Sequence, residues 1–285
     1  MQNVDTMIMK AVRLSVMWQF VYLTSIALSW AEERQSVSDL QRILAQNKLV
    51  VAVLKEDYPP LFATNESGRL FGSNISLVEH LAQELGVQVA FLRRAISFNG
   101  IIDLVSQGKA DIGLATTLTL SRAKKVMFSR PYMTLNISLL LNRVQLIEAG
   151  IYGELRDIHQ LRPTTKAIGL LEGSAYIEYA RKAFPDAQIK EYATLPELYA
   201  AAENGELLAA VRNDLTAQLY LQRNPAAMVR LRLFVDQSAK DYLAFSVRPD
   251  SPHLLYWINA YLLLHHIDLD SSDVIDQYRG AIQPK

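Results

Sequence analysis

The chain has 285 residues, half of them hydrophobic, and its 29 lysines and arginines balance 29 aspartates and glutamates. That length exceeds the ~150 residues of an average domain and predicts two lobes or domains around a sizeable core. Zero net charge argues against nucleic acid as the main partner and gives no support to a polybasic membrane surface. The absence of cysteine excludes disulfides, thiolate metal sites and cysteine nucleophiles.

Lys10 and Arg13 precede an uncharged apolar run over residues 14–31, which ends with the small residues Ser29 and Ala31. Cationic start, apolar middle and small-residue exit make a signal peptide over residues 1–31 and predict export. A membrane anchor is the alternative, because the run sits at the lower edge of spanning lengths. Removing residues 1–31 takes away Asp5, Lys10 and Arg13 and leaves 27 cations against 28 anions.

Next comes a helix over residues 36–48, then the β-branched strand LVVAVLK (49–55), which the prolines of DYPP end. ISLVEHLAQELG (75–86) is an amphipathic helix closed by Gly86. VQVAFLRR (87–94) is a strand, FNGIIDLVSQGKA a short helix and DIGLAT (111–116) a third strand, so the order β-α-β-α-β predicts a parallel sheet. The pattern repeats from NISLLLNRV (136–144) through KAIGLLEG, QIKEY and LLAAVRN, with helices between them, and LAFSVRP and two helices finish the chain. The fold class is therefore α/β with two lobes facing across a cleft. Residues 36–144 plus 236–285 form lobe one and residues 145–235 form lobe two, with LLLNRV and DQSAKDYLAFSV as the crossings.

In open parallel sheets, ligands bind beyond the carboxyl ends of the strands. Arg122 stands there, after DIGLAT, in what the spacing predicts as the first turns of a helix capped by Thr119. A cation at a helix N-terminus opposes the dipole. It is either a solvated surface group or, with the Thr117 hydroxyl and the helix amides, part of a carboxylate site. Ser174 opens a second helix at a strand end, as a plain cap or as an anion contact. Asp214 ends LLAAVRN, as a cap or as a carboxylate for an ammonium. Tyr58 and Phe98 sit at the same edge, as core or as walls around a small solute.

These pieces resemble the periplasmic amino-acid-binding proteins of ABC importers, the bacterial extracellular solute-binding family 3. The resemblance rests on LVVAVLKEDYPPLF, ISLVEHLAQELGV, SFNGIIDLVSQGKADIGLA, TLTLSRAKKVMFSRPY, IGLLEGSAYIEYA and LLAAVRNDLTAQLYL. It implies a two-lobed type II periplasmic-binding-protein fold. The position matching Arg122 clamps an α-carboxylate with the help of those matching Thr117, Ser174 and Ala175. That matching Asp214 holds the α-ammonium with the carbonyl at Ala115, and Tyr58 and Phe98 flank the solute side chain. Lys55 aligns near that side chain, where a cation disfavours a basic ligand. Four departures stand out: GSNISL (72–77) lacks the family's two acids, and Leu120, Ser121 and Met127 replace Pro, Glu and Asp.

The resemblance implies a non-catalytic, monomeric, periplasmic protein that closes on an amino acid or similar carboxylate and presents it to an ABC permease, with no cofactor or metal. A sensing partner of a membrane receptor is the alternative. An enzyme of the cyclohexadienyl dehydratase type is disfavoured, because Ala217 stands where those enzymes place a catalytic glutamate.

Overall fold

The computed structural model describes residues 38–282, with side chains to residue 276. The signal-peptide segment lies outside the described residues. Among those described, no helix is long and apolar enough to cross a membrane.

Lobe one begins with a helix, Asp39–Gln46, that feeds β1 (Lys48–Leu54). β1 is buried on both faces except at its start, as a central parallel strand must be. A two-stranded hairpin follows, β2 (Ala63–Thr64) with β3 (Leu70–Phe71), then the helix Ser73–Leu85, β4 (Gln88–Ala95), the helix Phe98–Ser106 and β5 (Ile112–Thr117). β6 is the short pair Met127–Phe128. Asp111 anchors this half: its carboxylate accepts from the Arg42 guanidinium at 2.5 Å and from the Val50 amide at 2.9 Å.

β7 (Met133–Asn142) leads into lobe two. There β8 (Ala167–Leu171), β9 (Gln188–Tyr192) and β10 (Ala209–Asn213) alternate with the helices Tyr176–Ala183, Leu195–Glu203 and Asp214–Arg223. β11 (Leu231–Val247) returns to lobe one, where the helices Pro252–Leu264 and Ser271–Ile282 close the chain. One nine-stranded sheet runs through both lobes in the order β4-β1-β5-β11-β7-β10-β8-β9, with β6 beside β11.

The first crossing differs from the sequence expectation. β7 pairs with lobe-two strand β10 from Ile137 to Leu141, and with the lobe-one end of β11 from Met133 to Asn136. The crossing therefore lies at Asn136–Ile137, and residues 137–144 belong with lobe two. The strand ends at Asn142, whose Oδ1 accepts from Val144 and Gln145 to cap a helix, Arg143–Glu148. The return, within DQSAKDYLAFSV as expected, is part of a 17-residue strand whose register against β7 breaks between Asp236 and Lys240.

Candidate functional site

The strand ends converge where the lobes meet. A cavity of about 10 Å³ is lined from lobe one by Tyr58, Phe98, Ala115 and Thr117, from lobe two by Ser174, Ala175, Tyr176 and Asn213, and from β11 by Asp241. A larger hollow of about 500 Å³ lies between the helices Leu195–Glu203 and Asp214–Arg223 and is walled by the stacked rings of Tyr199 and Tyr220. None of the predicted site residues lines it.

Arg122 is buried and does not itself line the small cavity, but its guanidinium bonds the carbonyl of Thr117, which does. Its turn is a single 3-10 turn, Arg122–Lys124, and not the start of an α-helix. Thr119 still caps it, its hydroxyl accepting from the Arg122 amide at 3.2 Å. With one turn there is no appreciable macrodipole for the cation to oppose. The guanidinium instead points inward and donates to Asn99 Oδ1 at 3.1 Å, the Thr117 carbonyl at 3.0 Å and the Gly173 carbonyl at 3.0 Å. The last bond crosses from lobe one to lobe two. Burial disfavours its charge, and Asp241, Tyr176 and Glu178 offset this only in part.

Gly173 marks a close approach of the lobes. Its φ is +65°, and a Cβ there would stand 2.9 Å from the Ser97 side chain. Ser121, one of the departures, donates its hydroxyl across the same gap to Glu178. Lys125 pairs with Asp103 at the surface, at 2.8 Å.

Ser174 and Ala175 line the cavity, but the helix beyond them starts at Tyr176. The Ser174 amide is taken by the Leu171 carbonyl and its hydroxyl accepts from Tyr176 N. Tyr58 and Phe98 pack on each other edge to face, with ring centroids 5.3 Å apart, rather than as parallel walls. The Tyr58 hydroxyl accepts from Arg212, a wholly buried guanidinium of β10.

Ala115 sits in left-handed backbone, φ +58°, inside β5. A non-glycine residue held there costs about 1–3 kcal/mol and persists only when its surroundings impose it. They do so through Tyr132, whose buried hydroxyl accepts from the Ala115 amide at 3.1 Å and from Asn74 Nδ2 at 2.9 Å. Asn74 lies in the divergent GSNISL segment, so that departure supports the cavity wall. Tyr132→Phe leaves two buried donors unpaired. It is expected to lower stability by ~1–3 kcal/mol in urea unfolding, and an unchanged midpoint refutes the role.

Two predicted site residues stand elsewhere. Asp214 is buried, but its carboxylate accepts from the Asn136 amide and side chain, the Leu215 amide and the Ser271 hydroxyl. It ties helix Asp214–Arg223 to the crossing strand and does not line the cavity. The helix cap is Asn213, one residue earlier, which also reaches the cavity wall. Lys55 is exposed. Its backbone bonds Ala95 and Arg93, and it lines neither of the two cavities above.

The neighbours of Lys55 instead form the cleft mouth. A hollow of about 290 Å³ there is lined by Glu56, Asp57, Ile96 and Glu172, among others. Burial acts to raise the Asp57 pKa, but bonds from Thr64 and Arg93 outweigh it and hold the carboxyl below its usual range. A depressed carboxyl stabilises above its unfolded pKa, and that contribution is lost as pH falls through the folded value. Asp57→Asn is therefore expected to destabilise at pH 7 and to match wild type near pH 2 in urea unfolding; a difference that persists in acid contradicts the assignment.

Sequence reasoning missed Tyr176, Asn213 and Asp241. Asp241 was legible: it shares the buried face of β11 with Leu243, Phe245 and Val247, and an acid in that register is a signal. Asn213 was missed by one residue, at a strand-to-helix boundary where either neighbour caps.

Comparison with known proteins agrees with this architecture. The L-cystine-binding protein of Escherichia coli strain K12 is 24% identical over 179 residues, 62% of this chain and 63% of that protein. The chain thus spans under two thirds of the curated relatives it matches first. The virulence sensor protein BvgS of Bordetella pertussis is 24% identical over 277 residues, 94% of this chain and 20% of BvgS. The crystal structure of an ancestral amino acid-binding protein, a precursor of cyclohexadienyl dehydratase, covers 85% of this chain and 99% of its own at 26% identity, with a TM-score of 0.68. Residues 49–278 match the bacterial extracellular solute-binding proteins, family 3, and the chain belongs to that family.

Proposed function

We propose that this chain is a non-catalytic solute-binding protein that closes its two lobes on an amino acid and presents the closed form to an ABC permease. The observation that carries the reading is Arg122. Its buried guanidinium sits at the strand end of β5, beside a cavity built from both lobes, and bonds only neutral acceptors. A solute carboxylate offers the same fork a charge-assisted, bidentate partner and outcompetes them. The lobes meet along two crossing strands, which suits hinge closure in which contacts from both lobes exist only when the solute is held. Relatives and structural neighbours named for cystine and amino acid binding support the class of solute. The family supports an exported location.

A sensing role is the second reading, and one observation favours it: the match to BvgS extends over 94% of this chain. The dehydratase reading gains nothing from Ala217, a buried alanine of the helix Asp214–Arg223 with no proton to donate. The test is a melting screen of residues 32–285 against the twenty amino acids and related acids. A solute at 100-fold over its Kd adds ~2.7 kcal/mol of stability, and no shift with any of them removes the reading. Stimulation of permease ATP hydrolysis by the solute-loaded form then separates import from sensing.

A further inference from the structure

We propose that Asp241, on the crossing strand β11, receives the positive charge of the solute, so that the site selects amine-bearing carboxylates over plain carboxylic acids. This rests on the reading of the cavity as the solute site. Asp241 is 1% exposed and is the one formally charged residue that lines the cavity. Its Oδ2 accepts from the Tyr176 hydroxyl, while its Oδ1 is buried and makes no hydrogen bond of sound geometry, although the Thr117 hydroxyl faces the carboxylate. A buried carboxylate oxygen left unpaired carries a desolvation penalty that a donor in the cavity removes.

Thr117 and Ser174 line the same cavity and flank Arg122, whose carbonyl acceptors are Thr117 and Gly173. The cavity of about 10 Å³ has room for no more than a water, so the lobes must part for one small solute to meet Arg122 and Asp241 together. Asp214 is the competing acid, but both its oxygens are engaged at the crossing, with Asn136, Leu215 and Ser271. The groups that face Asp241 are the Tyr176 and Thr117 hydroxyls and the guanidinium groups of Arg122 and Arg212. Their favourable effect on its charged form only partly offsets burial, which pushes its pKa up. An ammonium supplies the missing compensation.

Calorimetry of wild type, Asp241→Asn and Asp214→Asn against three probe pairs tests this: L-alanine with propionate, L-glutamine with glutaramate, and L-glutamate with glutarate. Wild type is expected to bind the amine-bearing member of at least one pair roughly 30-fold or more tighter than its deaminated partner. Asp241→Asn is expected to abolish most of that ratio, and, by removing an anion from the site, to bind the deaminated acid no more weakly than wild type does; Asp214→Asn is expected to keep the ratio. A wild-type ratio retained in Asp241→Asn overturns the proposal and shows Asp241 acting as a neutral acid, which asparagine mimics. Equal binding of both members by wild type overturns it and leaves the solute-binding reading standing. Binding of neither member of any pair overturns it, and the amino-acid screen then decides the reading beneath it. Should Asp241→Asn not fold, Asp214→Asn decides: loss of the ratio there moves the ammonium to Asp214.

Discussion

Arg122→Ala is expected to weaken solute binding by about 2–5 kcal/mol, because it leaves a desolvated carboxylate facing no cation. The expectation follows from where the side chain is. It is 5% exposed, it contributes a planar fork, and its three present acceptors are neutral. Arg122→Lys keeps the charge but not the fork and is expected to recover part of the affinity. The bond to the Gly173 carbonyl joins the lobes, so the alanine variant also loosens closure without solute. Melting the solute-free variant separates that effect from lost recognition. Affinity equal to wild type by calorimetry would remove Arg122 from the site.

Gly72→Ala is expected to be the most damaging single methyl group in lobe one. Gly72 has φ +131°, and a Cβ there would lie 2.5 Å from the Leu61 carbonyl oxygen and 2.8 Å from Phe62 Cα. Those are backbone atoms that cannot rotate away. The close approach exists because helix Ser73–Leu85 has no side-chain cap. Its first amides, Ser73 and Asn74, donate to the Pro60 and Leu61 carbonyls instead. Backbone strain and overpacking together are expected to cost on the order of 2–5 kcal/mol. At about 2–4 °C per kcal/mol for a chain of this size, the melting temperature falls by roughly 4–20 °C. A fall of less than one degree contradicts the geometry.

Most of the fold was legible because its signals are local. β9 falls on QIKEY, as the spacing predicts, and Gly86 ends its helix in left-handed backbone. The grouping of Arg122 with Thr117 was legible, because chemistry and position coincide at the end of β5. It was not legible where a role depends on distant partners. Asp214 looks free in sequence, yet Asn136 and Ser271 occupy it. The helix expected at Arg122 failed because a capped, cation-rich stretch carries the local signal of a helix without the length to form one. The first half of β11 was missed because LRLFVDQS lies next to β7 only in three dimensions.

The long β11 strand also sets the order in which the molecule can be completed. The strands of lobe two and their partner, residues 231–236, all lie within residues 133–236, so that half can pair its sheet from one contiguous stretch. Lobe one cannot: β5, made early, waits for residues 243–247 to supply its neighbour. The half of the chain synthesised first therefore cannot complete its native sheet until the final third of the polypeptide has been made, and until then β5 presents an open edge.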